Sequence, residues 1–83
     1  MKDIKPKLSL DRPATYQIKV PGALNQRWVK MNGEISFMVE NDEDGLPITT
    51  LNVTIDQAGL HGLLRRLYSL GLPLISVICV EVL

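Results

Sequence analysis

A chain of 83 residues carries nine basic and nine acidic side chains, so no long-range field favours nucleic acid or an anionic membrane surface. A single cysteine, Cys79, excludes an internal disulfide framework, and no apolar run approaches the roughly 20 residues that span a bilayer. Because a chain of this length buries only about 60% of its unfolded surface, we expect one domain that gains stability by self-association.

Residues 1–13 combine four basic side chains, two acidic ones and two prolines without any apolar periodicity. This composition predicts a flexible N-terminal arm, with a single α+β domain over residues 14–83. The start of the chain lacks the apolar core of a signal peptide, which indicates a cytoplasmic protein. The arm's basic charge is too small to predict nucleic-acid binding, and a solvated tail is the preferred interpretation.

The first element is a strand, because polar and apolar residues alternate over Ala14–Val20 and the pair Pro21-Gly22 follows. The next segment, Leu24–Met31, has apolar residues at intervals of four and three, which predicts a short helix leaning on the sheet. Trp28 in this segment is interpreted as a partly buried anchor, with a surface that stacks on a ligand as the alternative.

Two further alternating runs, Glu34–Glu40 and Thr49–Ile55, flank the glycine-containing turn Asn41–Gly45 and predict an antiparallel hairpin. The turn is rich in carboxylates. A calcium loop would need a bidentate carboxylate at the position that Leu51 occupies, so we predict a solvated turn without a metal.

A long amphipathic helix follows, with Asp56 as its N-cap and with Gly71 and Pro73 ending it. One face of this helix carries a stripe of five leucines that is typical of packing against a core: Leu60, Leu63, Leu64, Leu67 and Leu70.

The opposite side of the helix carries small residues, namely Ala58, Gly59, Gly62 and Ser69. Since interior glycines cost roughly 1 kcal/mol each relative to alanine, this pattern indicates either close approach of a partner or a weak first turn. His61 is interpreted as a histidine at the edge of the leucine stripe, with a catalytic or ligand-binding role as the alternative. It has no nucleophile or carboxylate within one turn, and only Cys79 could join it as a metal ligand.

The last strand, 74–82, is apolar on both sides. Strict alternation places Ile75, Val77, Cys79 and Glu81 on the side of the helix and predicts that Cys79 is a small buried side chain. The other face is too apolar to be left in water, so we predict that a second copy of the chain covers it. The predicted dimer interface is Leu74, Ser76, Ile78, Val80 and Val82.

The segment DQAGLHGLLRRLYSLGLPLISV, Asp56–Val77, resembles a family of small uncharacterised prokaryotic proteins with a D-Q-A-x-L-H-G-L-L…L-G-L-P-L-[IL]-S-V signature. In that family the signature follows Y-x-I-[KR]-V-x-G and L-x-x-R-W, which here are Tyr16–Gly22 and Leu24–Trp28. The resemblance implies no activity. Members often carry basic residues where this chain has Ile78 and Cys79, and this departure favours a different or tighter partner contact.

The order of elements predicts a ferredoxin-like β-α-β-β-α-β fold with a short first helix and both helices on one face of a mainly antiparallel four-stranded sheet. A ββαβ meander with an irregular linker is the alternative.

The preferred functional hypothesis is a homodimeric protein-interaction module without catalysis, cofactor, metal, nucleic-acid partner or membrane contact. A regulatory domain that binds a small molecule is the alternative, with Trp28, His61, Arg65 and Tyr68 lining its site. A ferredoxin-like monooxygenase that uses His61 is less favoured than either, because no acid–base or nucleophilic group accompanies that histidine.

Overall fold

The structure, a computed structural model, describes residues 8–25 and 35–83 and shows an α+β fold. The strands are β1 (Ala14–Pro21), β2 (Ile35–Asn41), β3 (Pro47–Ile55) and β4 (Ser76–Val82), and the helix α1 (Gln57–Ser69) lies between the last two. The α+β class and the antiparallel sheet predicted from the sequence are confirmed. The helix predicted over Leu24–Met31 stays a prediction, because residues 26–34 lie outside the described part.

The four strands form one sheet in the order β2-β3-β1-β4, and each neighbouring pair is antiparallel. Both β3 and β4 are antiparallel to β1, which lies between them, so β3 and β4 run in the same direction. Helix α1 makes the crossover from β3 to β4. This arrangement puts β2 and β4 at the two edges of the described sheet.

The core lies between α1 and one face of the two central strands. Alternate residues of β1 point into it, and Ile18 and Val20 are completely buried. In α1 the buried residues of the predicted leucine stripe are Leu60, Leu63 and Leu67, which lie on one side of the helix, whereas Leu70 follows the helix and is exposed. The buried apolar cluster is Ala14, Tyr16, Ile18, Val20, Ile35, Leu51, Val53, Leu60, Leu63 and Leu67.

Local hydrogen bonds set both ends of α1. The Oδ1 atom of Asp56 accepts the backbone N–H of Gly59 at 2.8 Å, which confirms the predicted N-cap. At the other end, the N–H of Leu72 donates to the carbonyl of Leu67 at 3.1 Å, and Gly71 has a φ of 80°. This is a Schellman motif, and its left-handed residue favours glycine. Within the described residues no helix has the length and apolar content that crossing a membrane requires.

The small residues of α1 do not share one environment. A Cβ atom on Gly59 would meet the side chain of Ile55, whereas a Cβ atom on Gly62 would meet nothing within 4 Å. The chain's own β3 therefore explains the glycine at position 59, and the approach of a partner to this side of the helix stays a prediction.

The end of the N-terminal segment contacts the domain. The carbonyl of Leu10 accepts the N–H of Gln57 at 3.2 Å, and the carbonyl of Pro13 accepts the N–H of Leu83 at 3.2 Å. Arg12 donates from Nε to the carbonyl of Leu83 at 2.8 Å. Residues 8–13, which belong to the predicted flexible arm, thus lie against the start of α1 and the end of β4.

Candidate functional site

Strand β4 is an edge strand that pairs with β1 alone in the described sheet. Within the described residues, no other strand pairs with the backbone N–H and C=O groups on the outer side of β4. A row of unpaired N–H and C=O groups is a template for another strand. The edge of β4 is therefore the first candidate for a binding surface.

A β-bulge interrupts β4. Tyr16 is opposite Cys79, but the preceding residue Thr15 is opposite Glu81, so Val80 is an extra residue without a partner in β1. An inserted residue of this kind breaks the alternation of side chains along a strand. The strict alternation predicted for residues 74–82 is therefore wrong beyond Cys79.

The register with β1 assigns each side chain of β4 to a face. Those that oppose Ala14, Tyr16 and Ile18 lie on the helix side, and those that oppose Thr15, Gln17 and Lys19 lie on the open side. Val82 belongs to the helix side, where it packs against the core, whereas Ser76 and Ile78 belong to the open side. The residues of the predicted interface therefore do not share one face; that set was Leu74, Ser76, Ile78, Val80 and Val82. The helix side carries Val77, Cys79 and Val82, and the open side carries Ser76, Ile78 and Glu81.

The apolar side chains of β4 are exposed on both sides of the strand. Val77 is 38% exposed, Ile78 49% and Val80 57%, and none of these three belongs to the core cluster or packs against it. Cys79 is exposed as well, so the prediction that it is buried is wrong for the single chain. The sequence could not reveal this, since the exposure depends on which strand lies at the edge.

The other edge strand, β2, differs in charge. Met38 and Val39 are also exposed there, but Glu40 follows them and leads into the acidic turn. The Oδ1 atom of Asp42 accepts the N–H groups of Asp44 at 2.9 Å and of Leu46 at 2.8 Å. That carboxylate therefore organises its own turn, and in the described residues no three His, Cys, Asp or Glu side chains come together as a metal site.

In the part of the chain that the structure describes, the residues predicted for a small-molecule site do not form a cleft. His61, Arg65 and Tyr68 are exposed on α1, with Tyr68 81% exposed, and Trp28 lies outside the described residues. None of the three α1 residues lines the open depression of about 590 Å³ at one end of the described sheet. Its polar lining consists of neutral hydroxyl and amide groups, from Thr15, Ser36, Asn52 and Thr54.

Comparison with known proteins identifies the family of this chain. A search of curated proteins and a search of solved structures each found nothing similar. The model of the family described as "Domain of unknown function (DUF8691)" matches residues 15–78. This range extends from β1 to the middle of β4, and the chain therefore belongs to the DUF8691 family.

Proposed function

We propose that this chain is a non-catalytic protein-interaction module that forms a homodimer through the edge strand β4. The observation that carries the proposal is the exposure of aliphatic side chains on both sides of that strand. Full burial of a Val or Ile side chain contributes about 1.5–3 kcal/mol, so covering several half-exposed ones would supply several kcal/mol. A strand from another chain would also satisfy the outer backbone groups of β4.

Charge supports β4 over β2 as the contact. Strand β4 has one ionised residue, Glu81, and the rest of it is neutral. Strand β2 contains Glu40 and leads directly into Asp42 and Glu43, and charged side chains on an edge strand discourage its pairing with another chain. Strand β4 carries fewer charges of this kind.

The proposed architecture is ferredoxin-like. The order β2-β3-β1-β4 with antiparallel neighbours is what two interleaved β-α-β units produce, each crossing one intervening strand. The crossover from β3 through α1 to β4 supplies the second of these units. In such a fold one face of the sheet is free of helices, and here that face is rich in neutral polar side chains, including Thr15, Gln17 and Asn52.

The placement of His61 favours interaction over catalysis. Its side chain is exposed on the outer surface of α1. Acid–base catalysis depends on a positioned group within hydrogen-bond reach of the proton it transfers, usually in a site that excludes water. An exposed helical histidine meets neither condition by itself.

The test compares two lysine substitutions, Ile78→Lys and Met38→Lys. Both residues lie on the face of the sheet opposite α1, both are about half exposed, and they occupy opposite edges of the described sheet. We expect light scattering to give a dimer for the wild type and for Met38→Lys but a folded monomer for Ile78→Lys. Circular dichroism reports whether each variant keeps its fold.

A dimer that persists in Ile78→Lys would refute the assignment to β4, and a monomeric wild type would refute the homodimer itself. If Ile78→Lys unfolds, the wild-type protein alone tests whether a dimer forms, because the melting temperature of an obligate dimer rises with protein concentration. A melting temperature that does not change with concentration would then count against the proposal.

A further inference from the structure

A short piece of the N-terminal segment, residues 10–13, contacts two parts of the domain that are far apart in the sequence. We infer that residues 10–13 form a clasp that opens and closes as one unit, so that the start of α1 and the end of β4 are released together. These contacts lie within one chain, so the clasp does not depend on the proposed homodimer.

One side of the clasp holds the start of α1. Gln57 is the first residue of the helix, and the backbone N–H of a first helical residue has no acceptor within its own helix. The carbonyl of Leu10 accepts this N–H at 3.2 Å. The N-cap side chain of Asp56 serves a different donor, the N–H of Gly59. Protection of the Gln57 amide from exchange with solvent therefore depends on the clasp.

The other side of the clasp holds the residue after β4. The N–H of Leu83 donates to the carbonyl of Pro13 at 3.2 Å, and the Nε atom of Arg12 donates to the carbonyl of Leu83 at 2.8 Å. The last pair that β4 forms with β1 joins Val82 to Ala14. The two bonds thus extend the contact of these strands by one residue, and the amide of Leu83 reports on this side of the clasp.

Few contacts hold the clasp in place. Within the described residues, three hydrogen bonds join it to the rest of the domain. Leu10 is 78% exposed, and Leu8, which precedes the clasp, is 49% exposed, so neither side chain supplies the burial that stabilises the core. Segments with little apolar burial and exposed hydrogen bonds open locally at a lower free energy than the whole domain.

The link between the two sides is short and stiff. Only Asp11 and Arg12 separate Leu10 from Pro13. The ring of a proline fixes one of its own backbone dihedral angles and restricts the residue before it. Movement of one side is therefore transmitted to the other. A molecule that bound residues 10–13 in their open state would act on both the start of α1 and the end of β4, because it would shift the same equilibrium.

Amide hydrogen exchange, measured residue by residue by NMR at one protein concentration, tests this coupling. Arg12→Ala removes a bond to Leu83, whereas Leu10→Gly adds backbone freedom on the side of Gln57. We expect each variant to speed exchange several-fold at both amides, Gln57 and Leu83, because either change favours the open clasp. Arg65→Ala removes an exposed arginine from α1 and is the control, which should speed exchange at neither amide.

The amides in the ladder between β1 and β3 report opening of the whole domain, and we expect their exchange to keep its wild-type rate in every variant. A variant that speeds only the amide on its own side would show two independent contacts and overturn the clasp. Equal acceleration in the β1–β3 ladder would overturn local opening. Wild-type amides of Gln57 and Leu83 that exchange as fast as those of an unstructured peptide would refute the clasp, as would two variants that change neither amide.

Discussion

The side chain of Ile55 fills the space into which a Cβ atom on Gly59 would project. Ile55 is the last residue of β3, and Gly59 lies in the first turn of α1. The contact between them therefore sets how closely the start of the helix packs against the end of the strand. A glycine that looks like a defect in a helix thus has a packing reason. The glycine one turn later, Gly62, has no such neighbour.

The two glycines should therefore respond in opposite ways to alanine. Gly62→Ala should raise the free energy of unfolding by up to about 1 kcal/mol, because alanine is the better helix former. Gly59→Ala forces Ile55 to move, and overpacking typically costs about 1–3 kcal/mol. We expect Gly59→Ala to be about 1–3 kcal/mol less stable than Gly62→Ala in urea titrations at equal protein concentration. Equal stabilities would show that Ile55 yields without cost.

The buried hydroxyl of Thr49 connects β3 to the segment after β1. Its Oγ1 atom donates to the carbonyl of Gly22 at 2.6 Å and accepts the N–H of Leu24 at 3.1 Å. Thr49→Val keeps the shape but loses both bonds, and each hydrogen bond of this kind contributes about 0.5–1.5 kcal/mol to stability. We expect a loss of about 1–3 kcal/mol in the free energy of unfolding.

Thr54→Val is the matched control for Thr49→Val. Thr54 lies on the same strand but is exposed, and its hydroxyl bonds to that of Thr15 at 2.8 Å. Surface substitutions of this kind usually stay within about 0.5 kcal/mol. The same loss in both variants would mean that valine perturbs the strand generally and that the buried hydroxyl is unimportant.

Tyr16 and Gln57 form a hydrogen bond between the core and the start of α1. The Nε2 atom of Gln57 donates to the Tyr16 hydroxyl at 2.6 Å, and Tyr16 is only 3% exposed. Tyr16→Phe should lower the free energy of unfolding by about 0.5–1.5 kcal/mol. A double-mutant cycle with Gln57→Met checks the cause, since the coupling between the two sites should be of similar size. Additive effects would mean that the bond contributes nothing.

The elements whose signals are local could be predicted from the sequence. The alternation in Ala14–Val20 identified β1 because one face of that strand is buried and the other is not. Asp56 and Gly71 marked the ends of α1, since caps are formed by the helix's own neighbours in the sequence.

The features of the candidate site depend on pairing between distant segments, and the sequence could not show them. A strand that is apolar on both sides gives no sign of a one-residue insertion, so the bulge at Val80 was hidden. The exposure of Cys79 follows from the position of β4 at the sheet edge, which is a matter of strand order. The packing of Gly59 against Ile55 likewise required the geometry of the turn between β3 and α1.

Amide hydrogen exchange offers a test of the edge contact that needs no substitution. If two copies pair along β4, the outward N–H groups of that strand acquire partners in the dimer, whereas those of β2 do not. We expect exchange in peptides covering Val77–Val80 to slow when the protein concentration is raised, because mass action populates the dimer. Exchange in peptides covering Phe37–Val39 should stay the same and serves as the internal control. Slowing at β2 instead, or at neither edge, would contradict association through β4, since backbone pairing at a sheet edge protects the amides that take part in it.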